Sequence, residues 1–168
     1  ESYGNNGLQS RSVHLGIDFW VPETTPICAF MKGEVVIAVI DSQPKGYGGL
    51  VVLKHQLESF HFYTLYGHLS LESSLKHQPG DLLDKGAEIG AIGSFIENGN
   101  WAPHLHFQIM LSLLDFTDDF PGVAYPSEKD IWKSICPNPN ILFQLPQLEE
   151  KDWNTDDEIL SFRKEHLG

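Results

Sequence analysis

Short apolar runs rich in Val, Ile, Phe and Tyr recur along this chain, cut by clusters of glycine, proline and aspartate. Residues 27–40 (ICAFMKGEVVIAVI, broken at Lys32-Gly33), 50–55 (LVVLKH), 60–66 (FHFYTLY), 88–93 (EIGAIG) and 103–113 (PHLHFQIMLSL) are such runs. Turns every ~8–12 residues leave room for strands and not for long helices, which predicts an all-β sandwich or barrel-like fold. Residues 50–55 and 60–66 read as a hairpin. Residues 13–20 (VHLGIDFW) alternate as a strand or strand-like turn, residues 1–12 read as an entry loop, and Leu71 to Leu75 as one helical turn.

The pattern changes after Leu114. Residues 115–126 form an acidic, irregular loop. Ser127 is placed to N-cap a short helix through Ile131, Trp132 and Ile135. Residues 136–146 read as extended and proline-rich, and Thr155 would cap a last helix over 156–166. The expected organisation is one mainly antiparallel β domain over 1–146, with its core in 11–112, and an acidic linker helix or peripheral tail over 147–168.

A chain of 168 residues suffices for one domain with a proper core. Its 23 acidic against 11 basic residues, net −12, argue against nucleic acid or an anionic membrane surface as the main partner. No apolar run reaches the length of a membrane-spanning helix, so no membrane insertion is expected. The start at Glu1 shows no signal-peptide pattern and suggests a piece trimmed from a longer protein or from an export signal, which leaves localisation open. Cys28 and Cys136 are expected to be free, buried thiols.

The chemistry starts at Pro103-His104-Leu105-His106-Phe107. On a strand, residues i and i+2 leave the same face, so His104 and His106 stand together while Leu105 and Phe107 enter a core. Imidazole is the commonest protein metal ligand, so the pair reads as half a metal site or as two satisfied histidines lining a sheet. His14 and Asp18, four positions apart, are the missing half if Gly16 lets the chain bend between them. Two imidazoles and a carboxylate, with a fourth position left to water, make a catalytic zinc set; His14, Asp18 and one of His104 and His106 would supply it, and Fe²⁺ or Mn²⁺ stay open on ligand softness alone. The remaining histidine of the pair and His68, in Tyr66-Gly67-His68-Leu69-Ser70, are spare imidazoles at strand ends. Metal plus imidazole is equipment for hydrolysis: the metal polarises a carbonyl and acidifies water, and the imidazole moves the proton.

The order His14-x-x-x-Asp18, Tyr66-Gly67-His68-Leu69-Ser70, His104-Leu105-His106-Phe107 closely resembles the lysostaphin/LytM-type zinc metallopeptidases. Supporting phrases are Ala29-x-x-x-Gly33-x-Val35, Tyr47-Gly48-x-x-Val51-x-x-x-His55, and Pro79-Gly80-Asp81 through Lys85-Gly86-x-x-Ile89-Gly90-x-x-Gly93. The resemblance covers residues 11–112. It implies His14, Asp18 and His106 as ligands of one Zn²⁺, His104 as general base, and His68 as the residue that holds the attacking water or stabilises the transition state. It implies an antiparallel β domain with an open groove, and hydrolysis of peptide bonds in peptidoglycan cross-links or related peptides.

Some residues depart from the family pattern. Trp101 stands where small residues are usual before Pro103-His104, so it would wall the groove. Tyr3 is a candidate for the family's transition-state tyrosine by position only. Residues 136–146 and the ending 159–168 are similar to the join between such a domain and a class III aminotransferase. A parent chain of that kind would be cytoplasmic; otherwise the cell envelope is the expected place. His55 is expected to bond locally, His61 to face solvent, and Trp20 and Trp132 to lie in the core. The alternatives to a peptidase are a non-catalytic binding or regulatory module on the same fold, which would be expected to have lost ligands, and a two-His, one-carboxylate iron oxygenase, which the spare His68 fits poorly.

Overall fold

The structure is a computed structural model that describes residues 5–6, 9–146 and 161. Among the described residues twelve strands follow one another, most of them short: β1 (Asn5–Asn6), β2 (Gln9–Ser10), β3 (Val13–His14), β4 (Ile17–Phe19), β5 (Pro26–Cys28), β6 (Gly33–Asp41), β7 (Gly48–Leu57), β8 (Phe60–Leu69), β9 (Leu82–Leu83), β10 (Glu88–Ala91), β11 (Leu105–Met110) and β12 (Val123–Ala124). Helices are brief: α1 (Leu71–Leu75), α2 (Lys129–Ile135) and α3 (Asn140–Phe143). No helix among the described residues is long and apolar enough to cross a membrane.

Six strands form one antiparallel sheet in the order β4-β11-β8-β7-β6-β9. The expected hairpin is its centre: β7 and β8 pair from Gly49↔Leu69 to Leu57↔Phe60. Their β-branched and aromatic residues suit a pleated surface packed on both sides. All six residues of β11 are buried. The period of two sorts them: Leu105, Phe107 and Ile109 join one apolar cluster with Val51, Leu53, Tyr66 and Ile89, while Met110 joins a second with Leu50, Val52 and Leu65.

Each face has its own cover. The β5–β10 pair and α3 lie over the first, where the Phe143 ring meets Phe19 at 5.0 Å and Phe107 at 5.5 Å. The stretch after Leu114 covers the second: Phe120, Ala124 and Cys136 are buried there, with Trp132 packed against them. Burying a phenylalanine contributes about 2–3 kcal/mol, which is why this acidic stretch is held down and not left as a loose loop. Ser70 caps α1, its Oγ accepting from the Ser73 amide at 3.2 Å.

Four expectations are corrected. Ser127 does not cap α2: it sits inside a 3₁₀ turn, Pro126–Glu128, that Pro126 opens, and no side-chain cap bond closes the helix start. Residues 136–146 are not wholly extended, since α3 interrupts them. The entry segment is not all loop, since β1 pairs with β2. Cys28 is exposed, because its strand lies outside the main sheet; Cys136 is buried as expected. The last helix, Tyr3 and the aminotransferase-like ending at 159–168 lie outside the described residues, apart from position 161.

Candidate metal centre

Asp18 and His106 are partners across the β4–β11 ladder, so their side chains leave the same face of the sheet. His14 arrives from β3 after a bend at Gly16, the break the sequence required. Space, and not only flexibility, demands that glycine. A Cβ at Gly16 would lie 2.8 Å from His106 Nε2 and 2.6 Å from the Phe107 carbonyl oxygen. β3 is held from beyond the hairpin core, by pairing Val123↔His14 and by the Leu15 amide donating to the Gly122 carbonyl at 2.9 Å.

Three donor atoms then form a near-equilateral triangle. His14 Nε2 lies 3.0 Å from His106 Nδ1, and each lies 3.2 Å from Asp18 Oδ1. A tetrahedral ion with bonds of ~2.0–2.1 Å holds neighbouring ligand atoms about 3.3 Å apart. The triangle matches that spacing to within a few tenths of an ångström, and its two nitrogens and one oxygen suit zinc.

The electrostatics agree. Burial alone would raise the Asp18 carboxyl, but the His106 and His14 rings beside it overturn that and hold the group well below the usual carboxylate range. Burial pushes His106 down despite the neighbouring Asp18 and Gln108, and pushes His68 well down, helped by His104 and His106. Neutral imidazoles beside a carboxylate are the protonation states a divalent cation needs.

Two further imidazoles stand beside the triangle. His104 Nδ1 lies 2.7 Å from the Ala102 carbonyl, and His68 Nδ1 lies 3.2 Å from the Asn98 carbonyl. A carbonyl oxygen only accepts, so both rings carry their proton on Nδ1 and keep a lone pair on Nε2. His104 Nε2 lies 3.9 Å from Asp18 Oδ1, and the His68 and His104 rings are 4.2 Å apart. His68 reaches this position through a left-handed backbone, φ 63°, which costs on the order of 1 kcal/mol for a residue with a Cβ.

All five expected residues line one cavity of about 240 Å³. Its walls hold residues that the sequence reading placed elsewhere or passed over. Trp20 is a correction: expected in the core, it is 66% exposed and packs on the His104 ring at 4.7 Å. Its strand ends before it, so it falls at the mouth of the site. Trp101 lines the cavity as expected, with the Lys45 ammonium 3.9 Å above its ring. Tyr47 stood in the sequence only as part of a supporting family phrase, with no role assigned; its ring meets His106 at 5.4 Å and His68 at 5.6 Å. The Tyr47 hydroxyl is buried without a partner, and burial pushes it well above its usual range.

His55 and His61 behave as expected. His55 is buried between the Lys32 carbonyl at 2.9 Å and Thr64 Oγ1 at 2.7 Å, and His61 is exposed.

An antiparallel sheet with this His/Asp/His group defines a metallopeptidase, a hydrolase. Residues 12–115 match Peptidase family M23, and the chain belongs to that family. It is 30% identical over 105 residues to the DD-carboxypeptidase/endopeptidase Mpg of Neisseria meningitidis, covering 62% of this chain and 22% of that protein. It is 34% identical over 94 residues to the uncharacterized lipoprotein YgeR of Escherichia coli, covering 56% and 33%. The catalytic domain of the prophage-encoded M23 protein EnpA from Enterococcus faecalis superposes with a TM-score of 0.50 at 26% identity, over 72% of this chain and 85% of that one. The chain thus spans about a fifth of the length of Mpg and a third of YgeR.

Proposed function

We propose that this chain is a zinc-dependent endopeptidase that cleaves peptide bonds in peptidoglycan cross-links or related peptides. The observation that carries the reading is the donor triangle of His14, Asp18 and His106 with two lone-pair imidazoles beside it. Similarity to Mpg, a DD-carboxypeptidase/endopeptidase, supports the substrate class.

The ligands are His14 Nε2, Asp18 and His106 Nδ1. Zinc bound there supplies a Lewis acid for the scissile carbonyl and acidifies water to near neutrality. His104 Nε2 takes the proton of the attacking water and returns it to the leaving amine. His68 is neutral with its own lone pair on Nε2, so it accepts a hydrogen bond from that water and aims it. Of its two implied roles, holding the water fits this tautomer better. Trp20 and Trp101 wall the groove and exclude solvent from the substrate backbone. Residues 1–146 act as the catalytic unit.

The test is digestion of purified peptidoglycan and of its isolated cross-linked peptides, read by mass spectrometry for new amino termini. Cleavage that stops with chelator and returns with zinc is the expected result. Zinc-loaded protein that binds these peptides without cutting them would overturn the reading in favour of a binding module.

A further inference from the structure

His106 presents its two ring nitrogens to different surroundings. Nδ1 faces His14 and Asp18, and Nε2 lies 3.0 Å from Gln108 Oε1. Gln108 is two residues further along β11, on the same face, and fully buried. Its amide nitrogen lies 3.2 Å from the Pro121 carbonyl and 3.3 Å from Cys136 Sγ.

Hydrogen-bond polarity makes this a one-way chain. The Pro121 carbonyl only accepts, so the NH₂ of Gln108 must face it. Oε1 must then face His106, so His106 Nε2 must carry the proton. The lone pair is left on Nδ1, toward His14 and Asp18. A flipped amide would set two carbonyl oxygens against each other in a site without solvent, and an unsatisfied buried group costs about 1–3 kcal/mol.

The two anchors lie outside the stretch that matches the family, which ends at residue 115. They are also fixed to the site by a second route. The strand β12 that follows Pro121 pairs with β3, which carries His14. Cys136 closes α2, and the Ile135 carbonyl accepts from the Leu111 amide at 2.8 Å, one residue past β11.

We propose that Gln108, oriented by Pro121 and Cys136, is a positioning residue that locks His106 in its Nε2–H tautomer and thereby sets the metal affinity of the centre. This rests on His106 being a ligand through Nδ1. Outer partners of metal-bound histidines are typically worth about 10–100-fold in metal affinity.

The experiment measures zinc affinity by competition with a chromophoric chelator, and the visible absorption of the cobalt-substituted protein, for wild type, Gln108→Leu and Gln108→Glu. Near-UV circular dichroism checks folding. Gln108→Leu keeps the size, removes the acceptor and should weaken zinc binding about 10–100-fold with altered cobalt bands. Gln108→Glu restores an acceptor for Nε2–H and, as the neutral acid, keeps an O–H donor for the Pro121 carbonyl, so it should recover most of that affinity. A folded Gln108→Leu protein that binds zinc as tightly as wild type would overturn the proposal. So would equal weakening in both variants, which means general damage to packing. Wild-type protein that binds no zinc would overturn both this inference and the metallopeptidase reading, whereas zinc binding without peptidase activity leaves the affinity comparison decisive for Gln108.

Discussion

Nδ1 of His104 lies 2.7 Å from the carbonyl oxygen of Ala102, and that bond determines which end of the ring is free for chemistry. The partner is backbone, so it persists whatever the neighbouring side chains do. His104→Ala should lower kcat by roughly 10²–10⁴-fold while the protein still holds one zinc. Kinetics beside elemental analysis checks this; loss of the metal instead would exchange the roles of His104 and His106.

Removing the metal should cost stability as well as activity. The His14, Asp18 and His106 donors point their lone pairs at one another across 3.0–3.2 Å, a geometry that an ion rewards. Free zinc at about a thousand times its dissociation constant should add about 4 kcal/mol. Asp18→Asn should lose most of that gain, since it keeps the shape but not the charge. Thermal melts with and without chelator read the effect, and coincident melting curves for wild type would contradict it.

His55 gives a pH dependence independent of the metal. Burial between Lys32 and Thr64 pushes its pKa below the ordinary value near 6.5. Above pH ~6.5 the ring is neutral folded and unfolded, and its contribution is fully present. As pH falls, the unfolded chain takes up a proton that the folded one refuses, so stability drops from there down through the folded pKa. Urea unfolding between pH 7.5 and 5 should show this decline, and His55→Gln should reduce its slope, the remainder belonging to His68 and His106. A variant with an unchanged slope would remove His55 from the account.

Trp101 should act on substrate and not on the reaction step. It lines the cavity beneath the Lys45 ammonium, with its ring facing the substrate space. Trp101→Ala should raise KM about tenfold, the value of one aromatic platform with its cation, and leave kcat within a few fold. A kcat collapse at unchanged KM would place Trp101 in the chemistry.

Gly16 should tolerate no side chain. A Cβ there meets His106 and the Phe107 carbonyl, both fixed in β11. Gly16→Ala should destabilise by about 1–3 kcal/mol and weaken zinc binding together, measured by denaturation and by chelator competition. Wild-type values on both would mean that β3 yields more easily than its pairing with β12 suggests.

The sheet and the His104/His106 pair were legible in the sequence because both obey short periods, whereas the full set with His14, Asp18 and His68 rested on the resemblance to an ordered series of family motifs. His104 and His106 differ by two, the repeat of a strand, and the 50–55 and 60–66 runs sit at hairpin distance. Trp20 was misplaced because an aromatic beside an alternating run reads as core; what mattered was that β4 stops at Phe19. Ser127 has the right chemistry for a cap, but Pro126 shifted the helix start. Gln108 carried only the strand period, which puts it on the face of His106. Its meaning depends on Pro121 and Cys136, 13 and 28 positions away, and long-range partners leave no trace in composition or period.

Asp18 sits on β4, a three-residue strand at the rim of the sheet, where β11 is its one ladder partner among the described residues. So short an edge has few ladder bonds with which to choose among registers, and a slip of one residue would turn Asp18 away from His106. An ion gripped between the two works as a rivet: it can seat only when the strand is aligned, and once seated it opposes slippage. The centre would thus proofread the assembly of the sheet that builds it.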